Sequence, residues 1–382
     1  LKDLGQNKGM SRLLEGDVGS GKTAIAAAIA YAVTQTRPTG QDFGTLQVAY
    51  MAPTEVLAKQ LFESFIEFFK PFKIQIGLIT GSGAYKFPSK VSKETYTNIS
   101  KPQLLKWVAN GEVPILIGTH ALIQKKVSFK HLALVVIDEQ HRFGTNQRAT
   151  LANKDTFLPH LLSMTATPIP RTLALTIYGD LDLSVLDEMP KGRKPAVTQI
   201  VTDAKRSDMY THIRNELEAG RQAYVICPRI FEPDEQKQNT LIAKSVVEEA
   251  KRLKTKEFSQ YSIGVMHSKL TKLEKEKEME KFARGETQIL VSTSVVEVGV
   301  NVPNATVIVI EGAERFGLAQ LHQLRGRVLR SSHQAYCYLY SESRSDQTLA
   351  RLKALTTAKS GFELAEIDLQ NRGMGELAGG KQ

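Results

Sequence analysis

Gly16-Asp17-Val18-Gly19-Ser20-Gly21-Lys22-Thr23 decides the fold. The octapeptide fits G-x-x-x-x-G-K-[ST], a loop whose backbone N–H groups close around phosphates. It follows a short apolar strand at Leu13 and Leu14 and opens an Ala/Ile-rich helix, Thr23–Val33. Glycines let the backbone wrap an anion, and the helix N-terminus adds a favourable dipole. Gly16, Asp17, Val18, Gly19, Ser20, Gly21, Lys22 and Thr23 are therefore the candidate nucleotide-binding residues. Lys22 is expected to bridge the β- and γ-phosphates and the Thr23 hydroxyl to hold Mg²⁺.

Such a loop needs an acidic Mg²⁺ partner at the end of a neighbouring strand. Leu134-Val135-Val136-Ile137, followed by Asp138-Glu139, supplies one. Asp138 is expected to hold the metal through water, and Glu139 to orient the attacking water as base. Alone, two carboxylates after a strand read as a solvated strand end. Paired with the loop, they imply ATP hydrolysis.

Outward from these motifs, strand-like apolar runs alternate with helical patterns. Gln47–Ala52, Ile74–Ile79, Ile115–Gly118 and Ala133–Ile137 are short, β-branched and bounded by Gly, Pro or charge. Helical stretches such as Glu55–Phe69 and Lys101–Asn110 lie between them. The alternation predicts βαβ units and parallel sheets. It weakens at Met189–Pro195, where two prolines, a glycine and three cations mark a linker. A second series follows, with strands at Ala223–Cys227, Ser262–Met266, Gln288–Ser292, Thr306–Ile310 and Ala335–Tyr340. Its helices include Lys244–Lys254 and Lys272–Ala283, the latter with Leu273, Met279 and Phe282 as the expected inner stripe. Ala84–Ser100, polar and lysine-bearing, reads as a surface insertion. Gln347–Lys359 reads as a last helix before a Gly-rich end. No sequence-level repeat is visible.

Composition sets the outer bounds. The 382 residues suit two or three domains, and 42% hydrophobic with 24% charged is ordinary globular usage. A net charge of +10 favours polyanionic partners. Two isolated cysteines, Cys227 and Cys337, argue against a disulfide scaffold or structural zinc and fit a reducing cytoplasm. No run of 18 apolar residues suggests a membrane span, and nothing resembles a signal peptide.

The motifs in order resemble superfamily-2 helicases, and among them the RecG branch. Asp138-Glu139-Gln140-His141-Arg142-Phe143-Gly144 is similar to that branch's DEQHRFG box; transcription-repair coupling translocases usually have Glu at position 140. Further blocks fall in family order: Met51–Ala58, Gly118–Ile123, Met164–Thr172, Tyr178–Asp182, Ser292–Val300 and Gln320–Arg327. Phe362–Leu369 with Arg372-Gly373 resembles a translocation motif. The resemblance covers nearly the whole chain.

It implies an α/β fold of two RecA-like lobes, each a mostly parallel sheet with helices on both faces. The expected division is an ATP-binding lobe at 1–188, a linker at 189–195, a C-terminal lobe at 196–343 and the start of a translocation segment at 344–382. The implied activity is an ATP-dependent DNA helicase or translocase motor, acting as a monomer on branched DNA without sequence specificity. By the same resemblance Arg327 and Arg330 neutralise charge on the γ-phosphoryl group, and Gln323 joins the nucleotide-binding set. Gln140 and His141 couple nucleotide state to the Thr165-Ala166-Thr167 segment. Pro53, Thr54, Gly81, Ser82, Thr119 and His120 are read as following strand ends in one lobe, and Ser292 and Thr293 as doing so in the other. Small hydroxyl and Gly positions suit phosphate contact, although helix capping explains Thr54 and Ser82 as well.

Two positions depart from the family. Asn301 stands where GVDVP has Asp, and Leu329 where GRVGR has Gly. If position 329 needs φ > 0 or close approach of the phosphate-loop lobe, Leu329 is expected to strain the cleft. The short segment ahead of Leu13 leaves no room for the family's wedge domain or adenine-reading Gln segment, so the chain reads as the motor part of something longer. The rival readings are a transcription-repair coupling translocase and a catalytically impaired DNA-binding remnant.

Overall fold

Strands rich in buried β-branched and aliphatic residues pair in parallel and build two sheets in the computed structural model of the chain. The structure describes residues 2–6, 9–89, 94–119, 122, 127–138, 159–166, 181–186, 194–228, 235–293, 302–329, 331–343, 345–358 and 360–372. Contacts divide the chain into two compact units. One comprises Leu1–Gly16, Gly21–Ala166 and Thr172–Leu186; the other comprises Asp17–Ser20, Thr167–Arg171 and Asp187–Gln382. Of the expected linker, Lys194 and Pro195 are exposed, and 189–193 lie outside the described residues.

The first unit holds β1 (Ser11–Gly16), β2 (Gln47–Met51), β3 (Ile76–Ile79), β4 (Ala84–Phe87), β5 (Thr97–Ile99), β6 (Ile115–Gly118), β7 (Leu132–Asp138), β8 (His160–Thr165) and β9 (Asp182–Leu186). Their order across the sheet is β5-β4-β3-β6-β2-β7-β8-β1-β9. All pairs are parallel except β3–β4 and β4–β5. β2 and β6 are buried along their whole length, as strands covered on both faces must be. Among the described residues, three helices pack on this sheet: α1 (Lys22–Thr34), α2 (Glu55–Phe69) and α3 (Lys101–Ala109). α2 buries Ala58, Leu61, Phe62, Phe65, Ile66 and Phe69, a stripe at three- and four-residue spacing. Thr54 caps it by accepting from the Leu57 N–H, and Ser100 caps α3 in the same way.

The second unit holds β10 (Val197–Val201), β11 (Gln222–Cys227), β12 (Ile263–Met266), β13 (Ile289–Thr293), β14 (Ala305–Ile310) and β15 (Tyr336–Tyr340), in the order β10-β15-β14-β11-β13-β12 and parallel throughout. Its helices are α4 (Arg206–Glu218), α5 (Glu235–Lys256), α6 (Lys272–Ala283), α7 (Leu318–Arg325), α8 (Asp346–Thr357) and α9 (Gly361–Arg372). A capping box between Thr271 and Glu274 starts α6.

Two expectations need correction. Ala84–Ser100 is not merely an insertion: it adds the antiparallel edge strands β4 and β5, because Ala84 and Phe87 bury their side chains. Leu273 is 61% exposed, whereas Met279 and Phe282 are buried. Six residues separate Leu273 from Met279, about 600° of helical rotation, which turns Leu273 away from that stripe.

The two sheets share a device that the sequence comparison of one half with the other misses. Gln47, the first residue of β2, is fully buried. Its carboxamide donates to the carbonyls of Val108 and Val113, at 2.9 and 3.0 Å, and accepts from the N–H groups of Lys130 and His131, at 2.7 and 2.9 Å. Gln222, the first residue of β11, donates to the carbonyls of Phe282 and Thr287, at 2.6 and 2.7 Å. Each Gln joins a helix end to the approach of the next strand, and each strand shifts register immediately after its Gln.

Replacing Gln47 with Ala leaves two buried carbonyls and two N–H groups without that partner. An unsatisfied buried polar group costs about 1–3 kcal/mol, so Gln47→Ala is expected to lower the unfolding free energy by about 3 kcal/mol or more. Lys59→Ala on α2, at an exposed position, serves as a surface control. Urea denaturation of both variants checks it.

Candidate functional site

β1 runs between β8 and β9 and ends at Gly16. The chain then turns through Gly19 at φ 82° and Gly21 at φ 98° before α1 begins at Lys22. Both angles lie in the left-handed region, open to glycine at little cost. The Ser20 N–H donates to the Asp17 carbonyl at 3.1 Å and closes the turn. No side chain caps α1 at Gly21, and a helix N-terminus opening from such a loop attracts an anion. Lys22 donates through Nζ to the Gly16 carbonyl and lies folded over the loop. Thr23 follows in the first turn, half-buried.

Asp138 is the last residue of β7 and is half-buried. It registers with Met164 of β8, and Thr165 of β8 registers with Glu15 of β1. The parallel order β7-β8-β1 therefore sets Asp138 and the Gly16 loop on the same sheet edge, two strand spacings or roughly 10 Å apart. This is the carboxyl edge, where open α/β sheets bind ligands. Glu139, Gln140 and His141 lie outside the described residues. Residues 16–23 with Asp138 suit a nucleotide carrying Mg²⁺: a backbone nest, a cation, a hydroxyl and a strand-end carboxylate.

The other half of the same edge carries the expected phosphate contacts. Pro53 and Thr54 follow β2, Gly81 and Ser82 follow β3, and Thr119 follows β6. Gly81 and Ser82 are exposed; Pro53, Thr54 and Thr119 are half-buried. His120 lies outside the described residues. Thr54 is a helix cap, but Ser82 is not: its hydroxyl meets Thr80 Oγ1 at 3.0 Å and its N–H donates to Glu55. Ser292 and Thr293 depart from expectation. They do not follow β13 but form its last two residues, at 0% and 1% exposure, and the Ser292 hydroxyl donates to the Thr293 carbonyl.

In the second unit Gln323 lies on α7, and Arg327 lies in the single turn Gly326–Val328 that follows; both are half-buried. Arg330 and Asn301 lie outside the described residues. Leu329 has φ −89° and ψ 40°. The positive φ on which the expected strain depended is not adopted, so Leu329 fits without it.

Several polar groups had no assigned role. His322 and Arg325, one turn apart on α7, are buried. Arg325 donates to the Leu355 carbonyl at 2.7 Å and meets His322 Nδ1 at 2.9 Å. His322 Nε2 lies 2.8 Å from Asp17 Oδ1, and Asp17 Oδ2 accepts from the Gly361 N–H at 3.2 Å. The block Gln320–Arg327 contains both residues, and their three-residue spacing was the available signal. A second cluster gathers at the carboxyl ends of β11 and β14. Arg206 donates to Tyr210 and Glu311 and lies 4.0 Å from the Tyr340 ring; Arg252 donates to Tyr210 and to both oxygens of Glu249. A cleft of about 410 Å³ borders it, lined by Cys227, Glu249, Arg252 and Glu311 among others. Burial pushes the Glu311 carboxyl up to about 7 against the opposing pull of Arg206.

Residues 4–176 match the family described as DEAD/DEAH box helicase, and residues 208–332 match the helicase conserved C-terminal domain. The whole chain is 48% identical to ATP-dependent DNA helicase RecG of Synechocystis sp. and 45% identical to that of Bacillus subtilis, covering 43% and 52% of those proteins. It thus spans about half the length of the curated relatives it matches. Among solved structures, RecG bound to a three-way DNA junction is similar at 40% identity and TM-score 0.79, over 98% of this chain and 46% of that one. Helicase MrfA bound to DNA, 17% identical with TM-score 0.62 over 92% of this chain and 50% of that one, shares the fold.

Two measurements test the local geometry. With no strain to relieve, Leu329→Gly is expected to lower stability by about 0.5–1 kcal/mol through the greater backbone freedom of Gly in the unfolded chain; denaturant titration reads the sign. Glu311 keeps its proton in the folded chain over the interval between about 4.5 and about 7, where an unfolded carboxyl has released it. The folded state then binds more protons, so this group makes stability fall as pH rises through that interval. Melting temperature against pH is expected to show a shallower fall, or a steeper rise, across that interval for Glu311→Gln than for the native chain.

Proposed function

We propose that the chain belongs to the RecG family of superfamily-2 helicases and is the ATP-driven motor of a DNA helicase acting on branched DNA in recombination and repair. The observation that carries the reading is identity of 45–48% along the whole chain to helicases of that name, joined to a complete phosphate loop on the same sheet edge as Asp138. The branched substrate follows the printed partner of the similar RecG structure, a three-way DNA junction. No helix among the described residues is long and apolar enough to cross a membrane, and a cytoplasmic place suits a DNA motor.

The proposed chemistry assigns each group a task. The N–H groups of the 16–21 loop and the first turn of α1 take the phosphates of ATP, and Lys22 moves from the Gly16 carbonyl to the β- and γ-oxygens. Thr23 and Asp138 are the residues to hold Mg²⁺, which supplies charge neutralisation at the transferring phosphoryl group. Glu139 orients and deprotonates the attacking water. Arg327 and Arg330 are assigned to the γ-phosphoryl charge, Gln323 to the nucleotide, and Gln140 and His141 to coupling. DNA phosphates are taken by the loops at Pro53, Thr54, Gly81, Ser82, Thr119 and His120. Ser292 and Thr293, buried in β13, are left out of that set. Leu329 at negative φ removes one ground for an impaired motor.

Phosphate release in the presence of branched DNA tests the reading. Lys22→Ala is expected to abolish turnover, and Glu139→Gln to bind ATP while hydrolysing at least about a hundredfold more slowly, the lower range of general-base contributions. Chelation of Mg²⁺ is expected to stop turnover in the native chain. Near-native turnover in either variant overturns the assignments.

A further inference from the structure

The turn after β3 already holds an anion supplied by the chain itself. Glu55 is the first residue of α2, immediately after the Thr54 cap. Its Oε2 accepts from the Ser82 N–H at 3.1 Å. Its Oε1 stands 2.7 Å from where a Cβ on Gly81 would lie, so any side chain at position 81 would push the carboxylate away. Lys101 Nζ donates to the Gly81 carbonyl at 2.8 Å, and the Thr80 N–H donates to the Gly83 carbonyl at 2.9 Å, fixing the turn from both sides. A two-oxygen anion carried at the head of α2 thus rests on the Ser82 N–H, with the Lys101 ammonium group against the same turn. The N–H and the ammonium group also attract a nucleic-acid phosphate. Gly81 and Ser82 are exposed, so a phosphate has access to the same N–H.

We propose that the Glu55 carboxylate occupies the phosphate position of the Gly81–Ser82 turn until DNA displaces it, and so acts as a built-in competitor that sets DNA affinity and its response to salt. The inference rests on the DNA path proposed above. Charge and hydrogen bonding separate cleanly here. A carboxamide oxygen accepts from the Ser82 N–H as a carboxylate does, but it neither repels a phosphate nor gains as much from the helix dipole. Structural support of the turn needs only the acceptor; competition needs the charge.

The test is a titration of a labelled blunt duplex into the native chain and into Glu55→Gln, by fluorescence anisotropy, at about 50 mM and about 200 mM salt. Two unit charges about 4 Å apart at a wet surface interact by ~1 kcal/mol, so Glu55→Gln is expected to bind about fivefold tighter at the lower salt. The gain should be smaller at the higher salt, where the screening length falls to about 7 Å. Equal or weaker binding by a Glu55→Gln protein that melts with the native chain overturns the competitor role while leaving the DNA path standing. Absence of salt-dependent binding by the native chain overturns the DNA path, and the competitor with it. A second measurement needs no variant: saturating the native chain with duplex should shift both the Ser82 amide and the Glu55 carboxyl carbon in the NMR spectrum. A Glu55 signal unmoved at saturation overturns the proposal.

Discussion

The buried carboxamides of Gln47 and Gln222 close the amino edges of the two sheets, and much of the arrangement follows from that closure. A parallel sheet covered on both faces leaves its backbone groups without water, so each must find a partner within the protein. At the start of β2, Gln47 gathers two carbonyls and two N–H groups that turning chain segments would otherwise leave unpaired. Gln222 does the same for two carbonyls at the start of β11. With the amino edge consumed by structure, the loops at the carboxyl edge are left to bind.

Strand order then divides that edge in the first unit. β7, β8 and β1 are neighbours, and they carry Asp138, Thr165 and the Gly16 loop. β3, β6 and β2 are neighbours as well, and they carry Gly81 with Ser82, Thr119, and Pro53 with Thr54. Residues assigned to nucleotide and residues assigned to polynucleotide occupy two contiguous halves of one edge, although along the sequence of this unit the second set lies between residues 16–23 and Asp138 of the first. Crossover connections between parallel strands produce this sorting, because a strand's place in the sheet need not follow its place in the chain.

Motif-bearing loops were legible in the sequence because phosphate chemistry fixes both residue type and spacing, as at residues 16–23 and 138. Long amphipathic helices such as Glu55–Phe69 were legible from their periodicity. β8 was not read as a strand, since His160 and Ser163 interrupt its apolar run, yet Ser163 is fully buried. The same ambiguity left Thr293 outside the strand read at Gln288–Ser292: a polar residue at a strand's end looks like loop until burial is known. A lone Gln at the head of a strand reads as solvated, which hid Gln47 and Gln222. The Arg206–Glu311 pair joins residues 105 positions apart, and no local pattern announces such a partnership. Glu55 stood inside a recognised block, but its partner Ser82 lies 27 residues on, and only the fold brings them together.

The seam between the two halves of the edge is the pair β2–β7. Met51 registers with Ile137, so the next residues, Ala52 and Asp138, leave the sheet side by side. The Ala52 N–H donates to the Gly118 carbonyl at 2.8 Å, which ties the end of β2 to the end of β6. Two residues beyond Ala52, Thr54 caps α2, and Glu55 reaches from there to the turn after β3. One strand spacing therefore separates Asp138 from the half of the edge assigned above to DNA phosphates. Interiors packed at crystal-like density transmit displacements rather than absorb them. Ala52, fully buried beside Asp138, has no flexible side chain to take up a movement. The short path from Asp138 through the end of β2 to the head of α2 thus joins the half of the edge assigned above to nucleotide with the half assigned above to DNA.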